Sequence, residues 1–344
     1  MKIFVVLSGF LLLMGFSCFS TSAENRLENV TGFKTDEKST KRKENHLALA
    51  YNLTMDSSAI VVTACVGSHE KLKSLSDANK RQYASAHNFD FITASAELYP
   101  AMTFIQPYAW FKIALMLDVL KTVRLAQTTH EWILWVDCDS LLSNLNENLV
   151  NLANKLIGEN GKRQDEVDLI AAIDEGETEK INTGVLFVRN SQWSVDFLST
   201  VIRKAEDKQL REQRHWEQGA INAMITGRNN EWNSKLLKVK RYQINSFQPE
   251  KDRIRNHKDN RFRKGETFVF HRVDCHGLQC DSVFEKLFCH LHSKDAVFEK
   301  NVIMLPLQTS SKPLNSIWIR VKPELLHDCS FGGCHSNLRI RNTR

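Results

Sequence analysis

The sequence predicts an α/β protein, one domain built on a mainly parallel sheet with helices on both faces. Three observations predict it. Apolar, β-favouring runs alternate with stretches of helical period along residues 59–271, the pattern of βαβ units. The run Trp132-Ile-Leu-Trp-Val136 is apolar on both faces, as a strand between two helical layers must be. That run stops at Asp137-Cys138-Asp139, and polar groups at the carboxyl end of a strand lie where open α/β sheets bind ligands.

The elements follow in chain order. Lys2, the apolar run Ile3–Phe19 and the small residues Ser20–Ala23 read as a secretory signal peptide or signal anchor over 1–23. Residues 24–56 are polar and read as a stem or linker. The N-glycosylation sequons Asn29-Val-Thr31 and Asn52-Leu-Thr54 suit the same secretory route. The folded domain spans 57–305. Ala59–Cys65 is a buried first strand, with Val66-Gly67-Ser68-His69 as the loop after it. Leu72–His87 has helical spacing, with Leu72, Leu75, Ala78, Tyr83 and Ala86 apolar. Phe89–Thr93 is a strand. Tyr108–Arg124 is a helix whose stripe is Trp110, Ile113, Ala114, Leu117 and Leu120. After Asp137-Cys-Asp139 come strands from Asp168 and from Gly184, helices Ser194–Lys208 and Glu217–Ile225, a short strand Leu237–Val239, and a strand Glu266–His271. Residues 250–264 are charged and read as a loop, and the tail 306–344 has no clear fold of its own.

The chain has 344 residues, 42% hydrophobic and 25% charged, enough for one large domain with appendages. Its formal net charge of +6 favours an anionic substrate such as a nucleotide diphosphate. The basic residues scatter and form no nucleic-acid module, so a nucleic-acid partner is not expected. Of the eight cysteines, Cys275/Cys280 and Cys329/Cys334 are close pairs suited to local disulfides, with Cys289 able to join either. Cys65 and Cys138 sit in apolar strand patterns and read as buried thiols. Zinc ligation by Cys275, His276, Cys280, Cys289, His290 and His292 ranks below the disulfide reading, because the spacing fits no familiar finger.

Four motifs can carry chemistry. Asp137 and Asp139 lie one residue apart and share a face if the strand persists. They then offer hard oxygen ligands to Mn²⁺ or Mg²⁺ beside a diphosphate. The plainer reading is a turn in which an Asp caps the next helix. His271 closes another apolar strand, and an imidazole suits Mn²⁺ better than Mg²⁺, although a lone His is more often a hydrogen-bonded core residue. Asn182-Thr183-Gly184 precedes a buried strand; Gly184 permits close backbone approach, and Asn182 and Thr183 can reach sugar hydroxyls or simply form a turn. Glu217-Gln218 opens a small apolar helix, as a first-turn acid or as a donor-sugar contact.

Together and in order, these blocks resemble glycosyltransferase family 34. The carrying segments are Asn79–His87, Trp132–Asn144, Ile181–Ser194, Trp216–Ala220 and Phe268–Cys275, within residues 59–290. The resemblance implies a GT-A, Rossmann-like fold and transfer of a hexose or pentose from a nucleotide-sugar with retained anomeric configuration. It implies Asp137, Asp139 and His271 as Mn²⁺ ligands, with Mg²⁺ as the alternative ion. It places Cys65, Val66 and Gly67 at the nucleoside and Asn182 and Gly184 at the border of the site. Glu217 and Gln218 fall beside the donor sugar, Gln218 supporting a cationic centre through its amide oxygen. His276 stands where a diphosphate-binding Lys is common, and Glu217 where Asp is usual. The implied partners are a UDP-sugar in preference to GDP-mannose, and a glycan acceptor, with homo- or hetero-oligomers of the chain as an open question. The implied setting is the Golgi membrane, as a type II protein with a lumenal domain, or the lumen or exterior after cleavage. A second reading is a catalytically weak binding subunit of a glycan-synthesising complex.

Overall fold

The computed structural model describes residue 51 and residues 53–94, 107–174, 177–226, 231–247, 262–263 and 265–272, together with the strands at 297–299, 302–306 and 316–320. The signal region, both sequon asparagines, most of the 250–264 loop, His276 and the cysteines at 18, 275, 280, 289, 329 and 334 lie outside the described residues.

The main sheet has six strands. They are β1 (Ala59–Ala64), β2 (Asp90–Ala94), β3 (Trp132–Val136), β5 (Leu169–Asp174), β6 (Glu177–Arg189) and β7 (Leu236–Val239). Their order is β2-β1-β3-β6-β5-β7. The ladders β1–β2, β1–β3 and β5–β7 are parallel. The long strand β6 runs antiparallel to both neighbours, so the sheet is mixed and mainly parallel, as expected. β6 reaches back to Glu177, because the Asn182-Thr-Gly segment read as a turn is part of the strand.

Side chains of β1 and β3 alternate between two cores. Ile60, Val62, Ile133 and Trp135 face one, and Ala59, Val61, Trp132, Leu134 and Val136 the other. The first core is closed by α2 (Phe111–Leu125), α4 (Gln192–Lys204) and, after the short α5 (Lys208–Glu212), by α6 (Trp216–Ile225). The second is closed by α1 (Lys73–Ala86) and α3 (Leu149–Glu159). In α1 Ala84 is buried and Ala86 exposed, a correction to the expected stripe. α2 is buried well beyond one stripe, with Phe111, Lys112, Leu115, Met116, Val119 and Val123 all inside, since it lies between the sheet and α4.

The chain after β3 turns at once. The strand ends at Val136, Asp137–Asp139 form a turn, and β4 (Ser140–Leu142) follows. Neither aspartate caps a helix. β4 is the edge of a second sheet, ordered β4-β9-β8, with β8 at Ser246–Phe247 just after α7 (Arg241–Ile244) and β9 at Val269–His271. β4 and β9 are antiparallel and pair Ser140 with His271. His271 therefore arrives beside the aspartates on a small sheet of its own, not on the main parallel sheet as expected. α1 fixes β4 in place. The Asn79 amide donates to Leu142 O at 3.0 Å and accepts from Leu142 N at 2.7 Å, and the Lys80 ammonium donates to Ser140 O at 2.9 Å. A third, antiparallel sheet contains β10 (Val297–Glu299), β11 (Val302–Pro306) and β12 (Ser316–Arg320). It crosses the expected boundary at 305/306, so part of the tail is strand. No helix among the described residues is long and apolar enough to cross a membrane.

Candidate metal and donor site

Asp137, Asp139 and His271 each offer a ligand atom, and those atoms all lie within 4.8 Å of one another. His271 Nε2 is 3.4 Å from Asp139 Oδ1 and 3.9 Å from Asp137 Oδ2. The three come from the turn after β3 and the end of β9, brought together by the β4–β9 pairing. Two carboxylates and an imidazole suit a divalent cation of the Mn²⁺ kind better than Mg²⁺, which prefers oxygen alone.

Each ligand is held from behind. The Lys112 ammonium donates to Asp137 Oδ1 at 3.0 Å and lies 3.0 Å from Glu217 Oε1. The Trp135 indole N–H donates to the same Asp137 oxygen at 2.6 Å, while Oδ2 accepts from Lys112 at 3.3 Å and lies 3.9 Å from His271 Nε2. Burial alone would lower the Lys112 pKa, but Asp137 and Glu217 outweigh it and raise it. Burial raises Glu217, assisted by Asp137 and only partly opposed by Lys112. Asp139 is lowered: burial works against the anion, but His271 and then His69 overcome it. His69 Nε2 is 3.9 Å from the other Asp139 oxygen.

Strand β6 presents the remaining residues through a bulge. Its register against β5 jumps from Leu186 opposite Ala171 to Asn182 opposite Ala172, so Thr183, Gly184 and Val185 have no partner there. Gly184 O accepts from Asp137 N at 2.8 Å. A Cβ on Gly184 would sit 2.1 Å from His271 Cε1 and 2.5 Å from Nδ1, so only glycine fits. Asn182 Oδ1 is engaged by Gly184 N at 2.9 Å and by the Asn245 amide at 2.7 Å. The Glu217 carboxylate is committed to Lys112 and to the Thr183 hydroxyl, while Glu217 Oε2 makes no hydrogen bond among the described residues. Gln218 Oε1 accepts from Thr183 N at 3.0 Å, and its amide donates to Asp174 at 3.0 Å. Asp174 is also paired with Arg241 at 2.7 Å.

The loop after β1 reaches the same place. Cys65 and Cys138 form a disulfide. This corrects their reading as buried thiols: both are buried, but the residue between the two aspartates is bonded to the end of β1. Gly67 has φ 63°, and its Cα lies against the Tyr108 ring, where a Cβ would meet Cδ2 at 2.8 Å. Lys112, Asn245, Trp135 and His69 had no assigned role in the sequence. Only Lys112 carried a signal, as a lone cation within Trp110-Phe-Lys-Ile-Ala-Leu-Met.

The fold and this cluster define an α/β protein in which two carboxylates and an imidazole that could hold a divalent cation meet beyond the carboxyl end of β3. The chain belongs to the galactosyl transferase GMA12/MNN10 family, whose model matches residues 56–281. It is similar to galactomannan galactosyltransferase 1 of Cyamopsis tetragonoloba, at 29% identity over 126 residues, covering 35% of this chain and 25% of that protein. It is also similar to an alpha-1,2-galactosyltransferase of Schizosaccharomyces pombe, at 29% identity over 143 residues, covering 34% of this chain and 37% of that one. Glycosyltransferase 6 of Arabidopsis thaliana is 28% identical over 135 residues, covering 39% and 28%. The matched part thus spans between a quarter and two-fifths of the length of these relatives. Among solved structures, a glycosyltransferase involved in glycosylating the major capsid of PBCV-1 aligns at a TM-score of 0.45 and 13% identity, covering 66% of this chain and 98% of that one. A galactosyltransferase LgtC complex with donor and acceptor sugar analogues aligns at 0.42 and 13%, covering 67% and 95%.

Proposed function

We propose that the protein is a metal-dependent, retaining glycosyltransferase that moves a hexose or pentose from a nucleotide-sugar to a hydroxyl of a glycan acceptor. The observation that carries the reading is the convergence of Asp137, Asp139 and His271, within a family named for galactosyl transfer. Mn²⁺ fits the mixed oxygen and nitrogen donors, and a UDP-sugar is preferred over GDP-mannose. The N-terminal apolar run supports a secretory setting, with the Golgi membrane as the proposed place.

When bound, the cation supplies Lewis acidity that offsets the charge developing on the departing diphosphate. The residues of the chain do the rest. Asp137 Oδ2 and Asp139 Oδ1 face the imidazole, with the Asp137 carboxylate fixed by Trp135 at Oδ1 and by Lys112 at both oxygens. The Cys65–Cys138 disulfide ties the loop with Val66 and Gly67 to the Asp137–Asp139 turn, which supports the proposed place of that loop beside the nucleoside. The transferred sugar passes through an oxocarbenium-like state, as in glycoside hydrolysis. The acceptor hydroxyl attacks on the face the diphosphate leaves, which retains configuration, and the departing phosphate takes its proton. Gln218 is proposed to stand beside the donor sugar; its amide is held at both ends, the oxygen by Thr183 N and the NH₂ by Asp174.

Slow hydrolysis of UDP-sugars in water tests this directly, with a uridine donor expected to react in the presence of Mn²⁺. Asp139→Ala and His271→Ala are expected to lose hydrolysis by at least two orders of magnitude while retaining a cooperative melt. Turnover at the wild-type rate in either variant would refute the assignment. A well-folded wild-type chain that binds donor and metal yet hydrolyses nothing would favour the binding-subunit reading.

A further inference from the structure

We infer that Asn182 and Asn245 are positioning residues that fix which nitrogen of His271 is offered to the cation; the inference rests on the proposed metal site. The deduction starts from one unambiguous atom. The Gly184 main-chain N–H can only donate, and it reaches a side-chain atom of Asn182 at 2.9 Å. That atom is therefore the carbonyl oxygen of Asn182. The same oxygen lies 2.7 Å from the Asn245 amide, which must present its NH₂ there. The Asn245 oxygen then points the other way, to His271 Nδ1 at 2.9 Å. An oxygen can only accept, so Nδ1 carries the proton, and the neutral ring is left with its lone pair on Nε2. Nε2 is the atom that faces Asp139 and Asp137.

The relay is buried. Asn182 is 7% exposed, Asn245 0% and His271 5%. The bulge in β6 frees the Gly184 amide from the ladder so that it can start the relay, and the bare Cα of Gly184 gives the imidazole its slot. One backbone donor thus sets two amide orientations and one tautomer across three segments of chain: β6, the residue after α7, and β9. Orientation of a metal-binding imidazole through its second nitrogen commonly governs affinity 10- to 100-fold. Asn182 is accordingly assigned to this relay and not to a sugar hydroxyl.

The test uses the full chain, metal-free, with ¹⁵N-labelled histidine. Long-range ¹H–¹⁵N correlation, assigned against His271→Ala, is expected to show His271 protonated on Nδ1. A neutral wild-type ring protonated on Nε2 and not on Nδ1 would overturn the inference, and this readout needs neither asparagine variant to fold. Mn²⁺ titration supplies the second arm. Asn245→Leu and Asn182→Leu are expected to weaken Mn²⁺ about 10- to 100-fold and to lose the tautomer preference. Asn182→Asp keeps an acceptor for Gly184 and Asn245 and is expected to bind Mn²⁺ nearly as the wild type does. Wild-type Mn²⁺ affinity in a folded Asn245→Leu variant would also overturn it. An Nδ1-protonated ring in a protein that binds no Mn²⁺ would support the relay and sink the cation site, so the two failures are distinct.

Discussion

Gly184 leaves no space for a methyl group, because the added carbon would stand 2.1 Å from the His271 ring. Either the imidazole or β6 must move. Gly184→Ala is expected to cost about 1–3 kcal/mol of stability, the usual range for forcing atoms into a packed site. Mn²⁺ affinity should fall with it, as isothermal titration and urea melts would show together; an alanine variant with normal affinity would mean that the slot is looser than it looks. Lys80 makes a different kind of prediction. It is fully buried and bonds Ser76 and Ser140, and burial pushes its ammonium down to about 7, against the pull of Asp77 and Asp139. In the unfolded chain it keeps its proton to an ordinary 10.5. Between those values the unfolded state holds a proton that the folded state has shed, so stability rises with pH. Relative to Lys80→Met, the metal-free wild type should gain about 2 kcal/mol between pH 7 and pH 9. Parallel stability curves for the two proteins across that range would show that the buried amine does not titrate there.

The Asp137–Asp139 turn is stapled at its middle residue. The Cys65–Cys138 bond closes a sequence separation of 73 residues and ties the end of β1 to the turn after β3. By chain entropy such a link is worth about 4 kcal/mol. A Cys65→Ala, Cys138→Ala double variant should lose much of that in urea, and reductant should lower wild-type stability by more than it lowers the variant's. Equal stability with and without reductant in the wild type would contradict the bond. The sequence made neither half of it visible, since two cysteines in apolar strands look alike whether paired or free. The strands and helices themselves were legible where burial imposes a period: β1, β3, α1 and α6 lie within a residue or two of where the pattern put them. β4 was not legible, because three residues carry no period. Yet β4 is the element that brings His271 to the aspartates. Asp137, Asp139 and His271 could be picked out by their place at strand ends. Asn245 could not, since nothing local distinguishes a buried relay amide from a loop asparagine.

At the scale of the molecule, the cluster sits where β1, β3, β6 and β9 meet, so a ligand bound there draws on both sheets at once. Binding to the folded state alone raises stability by mass action, about 2.7 kcal/mol at a hundredfold excess over Kd. For a domain of this size that corresponds to a melting shift of roughly 5–10 °C. The proposed order of dependence makes the shift diagnostic. A nucleoside diphosphate brings negative charge toward two carboxylates, which repel it unless a cation intervenes. UDP without metal should therefore move the melting temperature little, Mn²⁺ alone somewhat, and the two together by more than their sum. Asp139→Ala removes a proposed ligand whose lowered pKa rests on His271 and His69, and it should erase the joint effect. GDP in place of UDP should give the smaller shift if a uridine donor is used. A UDP shift that survives chelation, or that is undiminished in Asp139→Ala, would mean that the nucleotide binds somewhere other than this edge of the sheet.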